Sequence, residues 1–545
     1  MEGPQLRFKS GRYLVALAAG LAVAAACTAC TSSDAGSLQP SSDPQPLVVS
    51  TTLGTVEGSP TDTSNEFLGI PYAAAPTGDL RWQPPVPAKS WEGVRDATEF
   101  GPRCAQASGN GGDAVDNEDC LNLNVFTPAN TSSSALPVMF WIHGGGFTSG
   151  SGSQHDGSAL AEINNMVVVS INYRLGFLGF LDVPGMSEGG ERNFGLLDQQ
   201  AAMRWTHDNI AAFGGDPSRI TIAGESAGGQ AVCAQLASPS AAGLFHGAII
   251  QSGGCPSHTV EEATTDGKNF ATAAGCPDPE TMMTCLRTKS SQELLDASTN
   301  FRGILTGLLP IAGTPELPTT PQEAVRSGQF NNVPILIGST RDETRAWAQP
   351  FADATKDIYE GEIRKEFGQN AGAVLAQYPY DSYPGTYTAT YALGAVWTDS
   401  GVFYGLGGCQ DRGLARQFSV HQPQTYSYRF DGENAPTDGA TEFVRGSAHA
   451  TELPYLWPSE KSAQFSAEKQ ELSHTIMKYW GAFVTNANPN VPGQAQWPET
   501  ASGNTMTLQQ GNDSTAITDA QFTADHHCDL WDQIDYSWLN YNPAP

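Results

Sequence analysis

Gly224-Glu225-Ser226-Ala227-Gly228 stands between an apolar run, Arg219-Ile-Thr-Ile-Ala-Gly224, and a helix-compatible stretch, Gly228-Gly-Gln-Ala-Val-Cys-Ala-Gln-Leu-Ala237. A serine held at a sharp strand-to-helix turn presents its hydroxyl as a nucleophile. The G-x-S-x-G pattern alone is weak, because Gly and Ser are ordinary turn residues and the chain holds 58 Gly. A nucleophilic serine also needs a base, an acid that orients the base, and backbone donors for the oxyanion. The loop His143-Gly144-Gly145-Gly146-Phe147, directly after the apolar run Val138 to Ile142, can turn its N–H groups into a cavity without Cβ obstruction. The N–H of Ala227, next after the serine, would complete that donor set.

Base and acid are sought at strand ends, in the chain order serine, acid, histidine. The run Pro334 to Gly338 leads into Ser339-Thr-Arg-Asp342-Glu343-Thr344, and Thr425 to Phe430 leads, after a loop, into Gly446-Ser-Ala-His449-Ala-Thr-Glu452-Leu. Ser226, Glu343 and His449 therefore fall in the required order. Ten histidines compete for the role of base. His143, His207 and His246 precede the elbow or lie too near it, His474 falls within a helical pattern, and His526-His527 adjoins a cysteine. Asp342 and Glu343 both fit the acid, and spacing does not separate them.

The elements that must position these residues are short, β-rich, apolar runs with helical stretches between them: Val138 to Ile142, Met166 to Asn172, Ile220 to Ala223, Ala248 to Gln251 and Pro334 to Gly338. Such alternation predicts an α/β fold, a mainly parallel sheet with helices on both faces. Between the runs, Leu197, Ala201, Met203, Trp205 and Ile210 predict one apolar helix face toward the sheet over Leu196 to Asn209. No internal repeat is present, and one large domain over 47–545 is expected, with insertions able to build a gorge wall.

Arg7, Lys9 and Arg12 precede the apolar run Tyr13 to Ala26, which is too short to cross a bilayer as a mature helix and reads as an export signal over 1–26. Cys27 follows small residues and resembles the lipidated cysteine of a bacterial lipoprotein signal; cleavage beside Ala26 or Ala29 is the alternative. Residues 27–46, rich in Ser, Pro, Asp and Gln, read as a leader or tether. Cysteines in an exported chain are read first as disulfides. Cys104 with Cys120 and Cys276 with Cys285 enclose short loops, and Cys409 with Cys528 would tie the C-terminal segment to the body. That leaves Cys233 and Cys255, whose pairing stays open. The only C-x-x-C lies at the signal boundary and no H-E-x-x-H occurs, so a metal site is not expected. The formal charge of -29, with no basic run, argues against nucleic acid as a partner.

From about Val48 to Trp531 the chain resembles the type-B carboxylesterases, the group that also contains cholinesterases and some fungal lipases. The resemblance rests on the elbow and glycine loop together with Phe67-Leu-Gly-Ile-Pro-Tyr-Ala73, Glu118-Asp-Cys-Leu-Asn-Leu-Asn-Val125, Asn172-Tyr-Arg-Leu-Gly176, Asn193-Phe-Gly-Leu-Leu-Asp-Gln199, Asn209-Ile-Ala-Ala-Phe-Gly-Gly-Asp-Pro217 and Gln251-Ser-Gly253. It implies an α/β-hydrolase fold and cleavage of small-molecule esters through an acyl-enzyme on Ser226, with no cofactor. It implies further that Glu343 rather than Asp342 orients His449, that Gly145, Gly146 and Ala227 donate to the oxyanion, and that the first two cysteine pairs form.

The chain departs from the cholinesterases in one respect: Ala105 to Asp119 contains no aromatic residue that would bind a quaternary ammonium. The same polar segment speaks against a long apolar lipase lid. Phe301 to Pro310, mostly aliphatic, is the expected acyl-side region. A non-catalytic binding protein on the same scaffold is the rival from another class, and amide, carbamate or thioester cleavage is the rival within enzymes. A monomer is expected because no association motif is present.

Overall fold

The computed structural model describes residues 47–534, apart from 109–112, 130–134, 187–188, 299–307, 384, 404, 433–442, 460–461 and 512. Runs of Val and Ile that are apolar at every position suit strands covered on both faces, and these form the centre of one sheet. Seven strands run parallel there, in the spatial order Val167–Ile171, Leu136–Ile142, Gly215–Glu225, Gly247–Gln251, Ile335–Thr340, Thr425–Phe430 and Asn504–Leu508. Leu47–Ser50, Thr55–Pro60, Ser64–Pro71 and Asn122–Pro128 continue the sheet antiparallel beyond one edge, and Thr515–Thr518 beyond the other.

Both-face burial is visible in a single strand. Val138, Phe140 and Ile142 belong to one apolar cluster, whereas Met139 and Trp141 belong to a second on the opposite face. The second cluster is completed by the helix Ala467–Asn486, which contributes Leu472, Ile476, Tyr479, Trp480 and Phe483.

Strand boundaries differ from the sequence expectation where polar residues join the ladder. Gly215–Glu225 begins five residues before Ile220 because Gly215 pairs with Leu136, and Ile335–Thr340 runs past Gly338 because Ser339 and Thr340 pair with Arg429 and Phe430. The helix over Phe194–Asn209 forms as expected, and Met203, Trp205 and Ile210 of the predicted apolar face are buried in the core, but polar residues share its inward side. Leu197 and Ala201 are half-buried, while Asp198, Gln199 and Gln200 are buried. The reason is polar pairing: Asp198 forms an ion pair of 2.7 Å with Arg174, and Gln200 donates to Gln235 and Ser238. Two of the quoted blocks, Asn172–Gly176 and Asn193–Gln199, thus interlock through Arg174 and Asp198.

All four cysteine pairs form: Cys104–Cys120, Cys233–Cys255, Cys276–Cys285 and Cys409–Cys528, with Cα–Cα separations of 4.9, 5.5, 5.7 and 5.3 Å. The pair left open joins the helix Ala227–Ala237 to the loop after Gly247–Gln251.

Candidate active site

Three parallel strands deliver the site at their carboxyl ends. Gly215–Glu225 ends at the elbow, where Ser226 adopts φ 57°, ψ −126° before the helix Ala227–Ala237 begins. That is a strained conformation for a residue with a Cβ, and it costs of order 1–3 kcal/mol. The turn is held by backbone bonds: Ser226 N–H donates to the Gln251 carbonyl and Gln230 N–H to the Ser226 carbonyl, each at 2.9 Å. Among the described residues the Ser226 hydroxyl makes no hydrogen bond, which leaves it free to meet a substrate.

Ile335–Thr340 ends beside the acid. Glu343 is fully buried, its Oε2 lies 2.6 Å from His449 Nδ1, and its Oε1 accepts from Ser252 Oγ at 2.5 Å and from Thr340 N–H at 2.8 Å. Its backbone takes part as well, since His449 N–H donates to the Glu343 carbonyl at 2.9 Å. Asp342 turns elsewhere: its carboxylate is ion-paired with Arg345 and Arg341 and accepts the N–H of Ser447 at 3.0 Å. Geometry thus separates the two acids that spacing could not. His449 Nε2 points toward the elbow, 3.3 Å from Oε1 of Glu225, the residue before the serine.

Charge follows from these contacts. Burial pushes the Glu343 carboxyl up, but the charge of His449 and the hydrogen bonds from His449, Ser252 and Thr340 outweigh it and hold the group below its ordinary range. Glu225 is pushed up to about 7, by burial first and by the charge of Glu343, against the pull of His449. Glu452, also buried, is pushed up to about 8 by burial and then by Glu225 and Glu343. Burial favours the neutral imidazole of His449, while Glu225 and Glu343 raise its affinity for a proton. Protonating Glu225 removes one of those two charges, so Glu343 remains the one ionised partner matched to the imidazole.

The glycine loop lies against the nucleophile. A Cβ on Gly144 would sit 3.1 Å from Ser226 Cβ and 2.7 Å from the Glu225 carbonyl, so only glycine fits there. Gly145 and Gly146 both take positive φ, 105° and 61°. Among the described residues their N–H groups, and that of Ala227, donate to no protein acceptor, whereas the Gly145 carbonyl accepts from Thr148 and Ser149 N–H. Three free amide donors beside the half-buried Ser226 suit a tetrahedral oxyanion.

A cavity of about 200 Å³ adjoins the far side of this loop, walled by Ala105, Ala107, Ser149, Phe177, Leu294 and Leu308. Its lining includes Thr148 and Ser149, just after the glycine loop, and none of Ser226, Glu343 or His449. Of the expected acyl-side region, 301–307 lies outside the described residues; Leu308 is in the wall. Trp347 stands over the base, ring centroids 4.9 Å apart. Among the described residues no group of three or more His, Cys, Asp or Glu is placed to hold a metal ion.

A family model described as the carboxylesterase family matches residues 45–531. The chain belongs to the carboxylesterase family. This carboxylesterase is 34% identical over 477 residues to the para-nitrobenzyl esterase of Bacillus subtilis (strain 168), covering 83% of this chain and 92% of that one. It is 37% identical over 467 residues to the cocaine esterase of Oryctolagus cuniculus, covering 79% and 85%. Among solved structures it resembles a PNB esterase with a TM-score of 0.73 at 32% identity, covering 88% of this chain and 99% of that one. It is accordingly a serine hydrolase of carboxylic esters on an α/β-hydrolase fold.

Sequence reasoning brought together Ser226, Glu343 and His449. It did not assign roles to Ser252, Gln251 or Glu452, although all three stand in quoted stretches. Gln251 Nε2 donates to Glu452 at 3.3 Å and Trp480 Nε1 donates to Gln251 at 2.9 Å, so the site floor is a polar network with one apolar-helix anchor.

Behind the glycine loop, His143 and His155 are buried beside one another. Burial pushes His143 down to about 4, and burial together with the neighbouring His143 pushes His155 down to about 3. Both stay neutral in the folded protein while the unfolded chain takes up protons below about pH 6.5. The stability they leave intact at neutral pH is therefore lost as pH falls from about 6.5 toward their folded values. His155 lies between Trp141 and Trp457, ring centroids 5.2 and 5.3 Å away, so His155→Phe suits the site. The stability of His155→Phe relative to wild type is expected to rise by about 1.4 kcal/mol per pH unit between about pH 6 and 4. Urea unfolding across that range measures it, and a pH-independent difference would refute it.

Proposed function

We propose that hydrolysis runs through an acyl-enzyme on Ser226, with His449 as base and then acid, Glu343 orienting the imidazole, and Gly145, Gly146 and Ala227 donating to the oxyanion. The observation that carries the reading is the 2.6 Å contact between a buried, ionised Glu343 and His449 Nδ1, with Nε2 directed to the elbow. Ser226 Oγ attacks the ester carbonyl and its proton passes to His449 Nε2. The tetrahedral intermediate collapses, the C–O bond to the alcohol breaks, and the alcohol leaves with that proton. Water repeats the sequence: His449 takes its proton, the hydroxide attacks the acyl carbonyl, and Ser226 recovers a proton as the acid departs.

The substrates proposed are small esters with one modest apolar group, sized to the cavity of about 200 Å³. The Bacillus subtilis relative is named for para-nitrobenzyl esters, which carry one small aromatic group. A panel of p-nitrophenyl esters of rising acyl length is expected to give a short-to-medium optimum in kcat/KM. A monotonic rise to long chains would contradict the pocket assignment.

The proposal extends to location and organisation: 1–26 directs export, 27–46 is a leader, 47–545 is the catalytic domain, and the enzyme acts as a monomer. The basic start followed by the apolar run Tyr13 to Ala26 supports export, as do four disulfides, which persist in oxidising compartments. Either Cys27 accepts a lipid anchor at the outer face of the membrane, or cleavage beside Ala26 or Ala29 releases the enzyme. The mass of the mature N-terminus distinguishes that form from a freely secreted one.

A further inference from the structure

The Cys104–Cys120 bridge closes a loop that contributes Ala105 and Ala107 to the cavity wall, and one side chain of that loop reaches Gly150, at the end of the turn that carries the oxyanion donors. Gln106 is 1% exposed. Its Nε2 donates to the Gly150 carbonyl at 2.9 Å, and its Oε1 accepts the Gly150 N–H at 2.9 Å. The same Nε2 donates to the Cys104 carbonyl at 2.9 Å, and the Gln106 backbone exchanges two bonds of 2.8 Å with Val115 inside the loop. The carboxamide is thus rigidly held from the disulfide side and grips both polar groups of one backbone residue on the other.

Gly150 closes the turn that starts at His143. Its φ is 108°, and a Cβ there would lie 2.4 Å from His143 Nδ1, so the end of the loop folds back on its beginning. The beginning is fixed separately: Tyr173 Oη donates to the His143 carbonyl at 2.8 Å and the two rings stack at 4.5 Å. Between these ends, the Gly145 carbonyl accepts from the N–H groups of Thr148 and Ser149 and from the Ser149 hydroxyl, so the loop is bonded along its length and Gly150 is its last anchor. A buried carboxamide bonded to both the N–H and the C=O of one residue fixes the two peptide units that flank it more tightly than packing would.

We propose that Gln106 is a positioning residue of ester hydrolysis: through Gly150 it holds the Gly145 and Gly146 N–H groups toward Ser226, and it makes oxyanion stabilisation depend on the disulfide-closed loop that walls the cavity. The inference rests on the reading of Gly145 and Gly146 as oxyanion donors. Ala105 and Ala107, which flank Gln106, line the cavity, so the substrate group that fills it bears on the same clasp.

The test is Gln106→Met, which keeps the volume and removes both bonds to Gly150. A trifluoromethyl ketone, which adds to Ser226 as a tetrahedral oxyanion, serves as the probe, with kcat, KM, thermal midpoint and endpoint labelling by a fluorophosphonate. The ketone's affinity and kcat are expected to fall together by about 10- to 100-fold, with KM within about twofold and the labelled fraction unchanged. An unchanged ketone affinity, or activity lost only in proportion to the labelled fraction, overturns the proposal and leaves Gln106 a structural residue. If Gln106→Met does not fold, Cys104→Ala with Cys120→Ala takes its place, keeping Gln106 but freeing its loop. A weakened ketone supports the proposal there, and an undiminished affinity overturns it. Wild-type enzyme that fails to bind the ketone overturns the catalytic reading itself, which separates the two failures.

Discussion

Ser226→Ala is expected to lower turnover of a p-nitrophenyl ester by roughly a million-fold while leaving the fold intact. The side chain lost is one hydroxyl that makes no hydrogen bond among the described residues, so little stability goes with it. Alanine at φ 57° bears a backbone strain similar to that of serine, and the bonds to Gln251 and Gln230 come from the main chain. What disappears is the covalent path: no acyl-enzyme forms, and His449 can only activate water directly. Residual catalysis from the donors of Gly145, Gly146 and Ala227 is expected to remain above the uncatalysed rate. Steady-state assays with fluorophosphonate labelling and circular dichroism on both proteins check this. Turnover within tenfold of wild type in a folded variant would place the nucleophile elsewhere.

Glu343→Gln is the second large effect, roughly ten-thousand-fold in kcat by analogy with the corresponding change in other serine hydrolases. The carboxylate does two things that a carboxamide cannot. It accepts a hydrogen bond from Nδ1–H at 2.6 Å and so fixes the tautomer that presents Nε2 as acceptor, and it stabilises the imidazolium that forms as Ser226 is deprotonated. A glutamine can present its amide nitrogen to Nδ1 instead and select the wrong tautomer. Asp342→Asn is the control, because that carboxylate engages Arg341, Arg345 and Ser447 and does not touch His449. It is expected to lower stability with kcat within about tenfold of wild type, since its partners are structural. If Asp342→Asn lost turnover while Glu343→Gln kept it, the acid has been misassigned.

How much of this was legible in the sequence follows from the range of each interaction. The central strands were readable because burial on both faces leaves long runs of Val, Ile and Ala, and only their polar ends were missed. The antiparallel strands at the sheet edge were not, because Ser64–Pro71 carries a glycine, a proline and a register shift, and its burial follows no simple period. The helix Phe194–Asn209 and its buried Met203 and Trp205 were legible, but the polar part of its inner face was not, because Asp198 and Gln200 are buried on partners that lie 24 to 38 positions away. The elbow, the glycine loop and the loop carrying His449 announce themselves through local composition. Ser252 and Gln106 do not, since each acts by one side chain across 91 and 44 positions, and nothing in the neighbouring residues marks such a bond. The helix-to-loop pairing of Cys233 with Cys255 was open for the same reason.

The four crosslinks have a simple order. Cys104 joins the next cysteine, Cys120; Cys233 joins Cys255, Cys276 joins Cys285 and Cys409 joins Cys528, so every bridge links neighbours in the series. Eight cysteines allow about a hundred connectivities, and this is the one that an oxidant working on a chain as it emerges would write without error. Each thiol finds its partner as the next to arrive, so the chain does not depend on slow exchange of mispaired bonds. The last pair closes 119 positions, and the segment carrying His449 lies within that span. A bridge of that span removes more freedom from the unfolded chain than the three short ones do, roughly 5 kcal/mol in the chain-entropy model.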